Sequence, residues 1–163
     1  MPEILICIQW TGPYSLAQIN TMNGPTDKGL YQVYAHHPVY GRCLVYIGQT
    51  CTNFAERIPT HEWGTGSEND PERVEYYVGR LIGETPPKAE EWYRQISLAE
   101  MLLIHAHAPA YNSQYIREPP IPEECGHVRV LNFGAVRSLH REVSGLVWTA
   151  RAIPRRGLPA YGA

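Results

Sequence analysis

Glu100 is a side chain whose surroundings demand a partner. Residues 89–107 repeat apolar side chains at helical spacing, with Trp92, Ile96, Ala99 and Leu103 in one stripe. Glu100 is flanked on its own helix face by Ile96, Leu103 and Ile104 rather than by other charges. A carboxylate turned toward a core is costly unless it is paired or ligated. Two kinds of partner meet that demand: a cation of the chain, Arg57 or Arg94, or a hard divalent ion such as Mg²⁺ or Mn²⁺, which takes oxygen ligands and keeps several waters. Tyr31 and Tyr46 lie in segments that read as consecutive strands. On one face of a hairpin their hydroxyls can hold a water nucleophile or a phosphate oxygen, although strands favour aromatics and most such pairs only pack. Arg57 and His61 are four residues apart and so share a helix face. A guanidinium there clamps a phosphate and an imidazole hydrogen-bonds a water or a phenol; the plainer readings are a surface ion pair and a surface imidazole. Pro59 between them distorts the last turn. Gly48 suits a close-approach position at a strand end, where a side chain would block backbone or substrate.

In chain order these residues read Gly29-Leu30-Tyr31, Tyr46-Ile47-Gly48, Arg57, His61, Glu100 and Asn112. That succession resembles the active site of the GIY-YIG nuclease superfamily, over residues 28–114, roughly half the chain. The resemblance implies an α+β fold, a small antiparallel sheet flanked by helices, and metal-dependent hydrolysis of phosphodiester bonds in DNA. It assigns roles as well: Tyr31 or His61 activates the water, Tyr46 orients it, Arg57 holds the phosphate, Glu100 binds Mg²⁺ or Mn²⁺, and Asn112 supports the active-site loops through hydrogen bonds. Gly48 then lies against the nucleic acid. The compact size resembles the restriction-endonuclease and standalone branches. A restriction enzyme with one site per chain needs a homodimer to cut both strands of a palindrome, whereas a nuclease specific for single strands works as a monomer. The rival reading is a catalytically silent nucleic-acid-binding or interaction module that keeps the fold, and the sequence does not separate a DNase from an RNase.

The whole chain is consistent with that class. At 163 residues, 44% hydrophobic and 18% charged, it fits one globular domain with its own core. Within it, residues 28–114 form the catalytic core, 1–27 an N-terminal extension and 117–163 a basic C-terminal extension. The apolar run at 4–8 follows Glu3 and is too short for a signal peptide, and no stretch approaches the roughly 20 residues that span a bilayer. A soluble, cytoplasmic protein without a membrane partner is expected. Cys7, Cys43, Cys51 and Cys125 show no C-x-x-C spacing and read as free thiols, not as a zinc site. His105 and His107, two apart on a helix, point to opposite sides and cannot share a metal.

A net charge of −2 argues against indiscriminate coating of nucleic acid. Residues 53–100 hold ten acids against five bases, whereas 117–156 hold seven arginines against four acids, a net of +3. The C-terminal segment is therefore the expected phosphate-facing surface, with Arg151, Arg155 and Arg156 in an arm that orders on binding DNA. Surface ion pairs account for about half of these arginines on the plainer reading.

The elements that must position these groups are legible locally. The run at 4–8 suits a strand buried on both faces, ending in the turn signal Thr11-Gly12-Pro13, with Ser15 capping a short helix through Asn20. Strands at 29–35 and 42–48 are joined by a hairpin loop carrying His36 and His37, and alternation puts Tyr46 on the face of Leu44. Asn53 and Glu56 form a capping box for the Arg57 helix. A loop at 64–72, a strand at 74–81 and a long helix at 89–107 ended by Pro109 follow. Pro119, Pro120 and Pro122 mark a linker, and stretches 128–133 and 139–148 read as an added antiparallel pair.

Overall fold

The computed structural model describes residues 2–60, 73–117 and 122–146. Among the described residues six strands and four helices follow in the order β1 (Ile4–Tyr14), α1 (Leu16–Ile19), β2 (Gly29–His37), β3 (Gly41–Thr50), α2 (Phe54–Arg57) with a 3₁₀ turn (Ile58–Thr60), β4 (Glu75–Leu81), α3 (Ala89–His107), α4 (Pro122–Cys125), β5 (Val128–Gly134) and β6 (Glu142–Ser144). All six strands join one sheet in the order β3-β2-β4-β1-β5-β6, so the class is α+β. The sheet is mixed rather than antiparallel, because β1 pairs with β5 in parallel. Parallel neighbours need a long connection, and here residues 15–127 supply it. Strands from both ends of the chain thus complete the sheet that β2, β3 and β4 begin.

Two clusters of side chains form the core. One gathers Ile6, Ile8, Trp10, Leu30 and Ile47 of the strands under α3. The other gathers Tyr31, Val33, Val45 and Val78 with Ile19, Phe54 and Ile58. α3 spans 19 residues and buries Trp92, Ile96, Ala99, Leu102, Leu103 and Ile104, each large aliphatic contributing about 1.5–3 kcal/mol. It ends at Ala108, in the left-handed region at φ 44°, just before Pro109. Among the described residues no helix is long and apolar enough to cross a membrane. All four cysteines are free.

Several expectations change. β1 is buried on one face only: Ile6, Ile8 and Trp10 are inside and Leu5 is half-exposed. Thr11-Gly12-Pro13 does not end β1, which continues to Tyr14 through an irregularity that takes its pairing with β4 from Thr11–Val78 to Tyr14–Tyr76. Gly12 permits this, because at φ 143° a Cβ would stand 2.8 Å from the Tyr76 carbonyl oxygen. Of the stretch expected at 139–148, the described part, 139–146, forms a strand only at Glu142–Ser144, since residues 135–140 turn instead, with Asn132 Nδ2 donating to the His140 carbonyl at 2.8 Å. Pro122 opens α4 rather than continuing a linker. His37 serves the hairpin turn, its Nδ1 accepting from Val39 N at 3.1 Å. His61, the loop at 64–72, Pro119, Pro120, Trp148, Arg151, Arg155, Arg156 and the arm at 153–163 lie outside the described residues.

Candidate active site

The β2–β3 hairpin sets Tyr31 opposite Gly48 and Val33 opposite Tyr46. Pairing then steps to Tyr34–Leu44, which leaves Val45 as the extra residue of a bulge. Val45 and Tyr46 therefore both pack beside Tyr31, while Leu44 packs with the α3 cluster. Simple alternation had put Tyr46 on the face of Leu44; the bulge overturns that relation. The Tyr31 and Tyr46 rings stack with centroids 6.0 Å apart and planes 28° from parallel. Gly48 makes room for them: a Cβ there would lie 2.5 Å from both Cζ and Oη of Tyr31 and 2.7 Å from Cε1 of Tyr46.

Tyr31 is fully buried, and its hydroxyl has no hydrogen-bond partner of good geometry. The Tyr46 hydroxyl is its polar neighbour and interacts with it. Burial, and then the neighbouring Tyr46, push the Tyr31 pKa well above the usual value, with the Arg57 charge opposing them. Tyr31 is thus a neutral phenol at neutral pH. Tyr46 is half-buried, and burial and the Glu100 carboxylate raise its pKa in the same sense.

Glu100 projects from α3 and is half-buried. Burial raises its pKa, and a hydrogen bond from Gln49 and the charge of Arg57 act against that rise. The bond is short, Gln49 Nε2 donating to Glu100 Oε2 at 2.8 Å, and the same nitrogen lies 3.4 Å from Ser97 Oγ. Of the two cations the sequence offered, Arg94 pairs with Glu91 at 3.5 Å instead, and Arg57 is close enough to act on Glu100 and on both phenols. Arg57 is exposed on the last turn of α2. That helix is fixed by the Asn53 side chain accepting from Glu56 N at 2.9 Å, by Phe54 N donating to Asp27 O at 2.9 Å and by the buried Phe54 ring.

Asn112 works as a backbone mimic. Its Oδ1 accepts from Ile47 N and its Nδ2 donates to Ile47 O, both at 2.9 Å, while Tyr111 N donates to Val45 O at 2.8 Å. β3 is an edge strand, and residues 111–112 occupy its open side immediately before Gly48. Pro109 and the left-handed Ala108 turn the chain back from α3 to reach it.

The structure brings together Tyr31, Tyr46, Arg57 and Glu100 from β2, β3, α2 and α3, with Gly48 and Asn112 shaping the strand between them. Two neutral hydroxyls, a guanidinium and a half-buried carboxylate suit a phosphodiester and a hard cation. The donor set fits Mg²⁺ or Mn²⁺: Glu100 offers a carboxylate, and Gln49 Oε1 is a buried oxygen with no partner. Among the described residues no three His, Cys, Asp or Glu side chains gather, so softer multi-histidine or thiolate sites find no counterpart there. Sequence reasoning missed Gln49; the signal was its place directly after Gly48, where alternation turns it toward α3. The C-terminal arginines are partly committed to the protein itself. Arg129 bonds Glu3 at 3.2 Å and Glu142 at 2.8 Å, and Arg137 lies over Tyr34 and Tyr77, 3.6 Å from Glu75. Compared with protein-family models, with curated proteins and with solved structures, the chain matches none.

Proposed function

We propose that this chain is a DNA endonuclease of the GIY-YIG type, hydrolysing phosphodiester bonds with a single divalent cation on Glu100, and that its small sheet has the fold of that superfamily. The observation that carries the reading is the shared space over Gly48, where Tyr31 and Tyr46 converge within electrostatic reach of Arg57 and Glu100. Packing alone explains a tyrosine pair. It does not explain two phenols that converge beside a carboxylate and a guanidinium from two separate helices.

The residues divide the work by their chemistry. Arg57, exposed at the end of α2, binds the scissile phosphate and stabilises the charge that develops on it. The two phenols, neutral at working pH, hydrogen-bond and orient the attacking water. Because burial keeps Tyr31 protonated, it orients the water rather than taking its proton, and His61 is the candidate base. Asn112 holds β3 in register so that the phenols keep their place. Glu100 would hold Mg²⁺ or Mn²⁺, which when bound would supply Lewis-acid neutralisation of phosphate charge. Water is added across one P–O bond, leaving a phosphate monoester on one end and a hydroxyl on the other.

The test is incubation of the protein with unmethylated plasmid and with single-stranded circular DNA, in Mg²⁺ and in EDTA, beside Glu100→Gln. Mg²⁺-dependent cutting by the wild type, lost in Glu100→Gln with DNA affinity retained, is expected. Discrete fragments from plasmid alone identify a restriction-type enzyme, which then acts as a homodimer. No cutting of either DNA under any cation rejects the proposal.

A further inference from the structure

Gln49 uses only half of its amide. Nε2 donates to Glu100 Oε2 at 2.8 Å and lies 3.4 Å from Ser97 Oγ, one helical turn earlier on α3. Oε1 is buried and meets no donor. A buried carbonyl oxygen without a partner costs about 1–3 kcal/mol, and a strand position facing a helix is filled without that cost by an apolar side chain of similar size. Reversing the amide gives no relief, because it would set an oxygen against the Glu100 carboxylate in place of a donor.

We infer that Gln49 is both the positioning residue for Glu100 and a second oxygen donor to the cation. Nε2 commits one carboxylate oxygen to the protein and so fixes how the other is presented. The amide oxygen, separated from that bond only by the width of the amide group, is a neutral hard ligand of the kind Mg²⁺ and Mn²⁺ accept. Ser97 supports the amide from α3, the element that carries Glu100. This inference rests on the reading of the site as a cation-dependent hydrolase.

Titration of the full chain with Mn²⁺, followed by electron paramagnetic resonance at fixed ionic strength, tests it without reference to cleavage. Wild type is compared with Gln49→Met, which keeps the length and loses both polar atoms, and with Gln49→Glu, which keeps an oxygen. Each variant is melted in EDTA. Gln49→Met is expected to bind Mn²⁺ about 10-fold more weakly or worse, the range for losing a supporting ligand partner, and to melt no lower than wild type. Gln49→Glu, which loses the Nε2 donor but keeps an oxygen for the cation, is expected to bind more tightly than Gln49→Met. Unchanged affinity in Gln49→Met overturns the inference, as does a Gln49→Glu protein as weak as Gln49→Met. A wild type that binds no Mn²⁺ overturns the metal reading beneath it, so the two failures are told apart.

Discussion

Tyr31→Phe separates a chemical role from a packing role because the structure assigns opposite signs to the two effects. The ring is fully buried, and its hydroxyl is one of four buried side-chain atoms without a partner among the described residues. Removing that oxygen keeps the packed volume and deletes an orphaned polar group whose burial costs about 1–3 kcal/mol. Stability should therefore hold or rise; a gain of about 1 kcal/mol corresponds to roughly 2–4 °C in melting temperature for a chain of this size. If the hydroxyl orients the attacking water, the chemical step should slow by about 10²-fold, the cost of a misplaced reactant. Tyr31→Ala should instead lose about 3–5 kcal/mol of stability through the cavity it leaves. Single-turnover cleavage with saturating protein, paired with thermal melting, reads both quantities. A Tyr31→Phe protein that cleaves at the wild-type rate would refute the catalytic assignment. One that melts well below wild type would show that the hydroxyl is bonded in the native state.

Three further outcomes follow from the same geometry. Gly48→Ala should push the phenols apart, at a cost of about 1–3 kcal/mol from overpacking, and abolish cleavage; an active, undiminished Gly48→Ala protein contradicts the close approach. His107 is held neutral, its Nδ1 donating to Leu103 O at 2.9 Å and its Nε2 accepting from His140 N at 2.9 Å, and burial lowers its pKa below the usual 6.5. Because the unfolded chain then binds a proton that the folded chain refuses, its contribution is complete above pH 6.5 and is lost as pH falls toward the lowered folded value. The stability difference between wild type and His107→Gln, followed by urea unfolding across that window, should shrink on acidification, and a pH-independent difference rejects the linkage. Finally, a combined Arg151, Arg155 and Arg156 to Ala protein should bind DNA with a log-log salt slope reduced by about one unit per lost phosphate contact, and an unchanged slope shows that these arginines do not touch DNA.

Local physics makes much of this chain legible in its sequence. Helical periodicity and the Pro109 stop bound α3 to Ala89–His107, because amphipathic spacing and a helix breaker act within a few residues. Ser15 and Asn53 cap α1 and α2 for the same reason, through side-chain bonds three residues long. The pairing of β2 with β3 followed from a short loop between two apolar runs, and with it the neighbourhood of Tyr31 and Tyr46. What stayed hidden depends on contacts between distant segments. The place of β1 between β4 and β5 rests on pairings more than 60 residues apart along the chain, for which no local signal exists. The bulge at Val45 reverses the side on which Leu44 lies, and a period of two carries no mark of one extra residue. The bond from Gln49 to Glu100 and the double bond from Asn112 to Ile47 arise only when α3 has packed against the sheet and the chain has turned back along β3. Sequence alone thus determined which residue types were on hand and which short elements carry them. Tertiary packing decided which of them meet and which hydroxyl is buried neutral, because burial and distance, which set a group's charge and reach, belong to the folded chain as a whole.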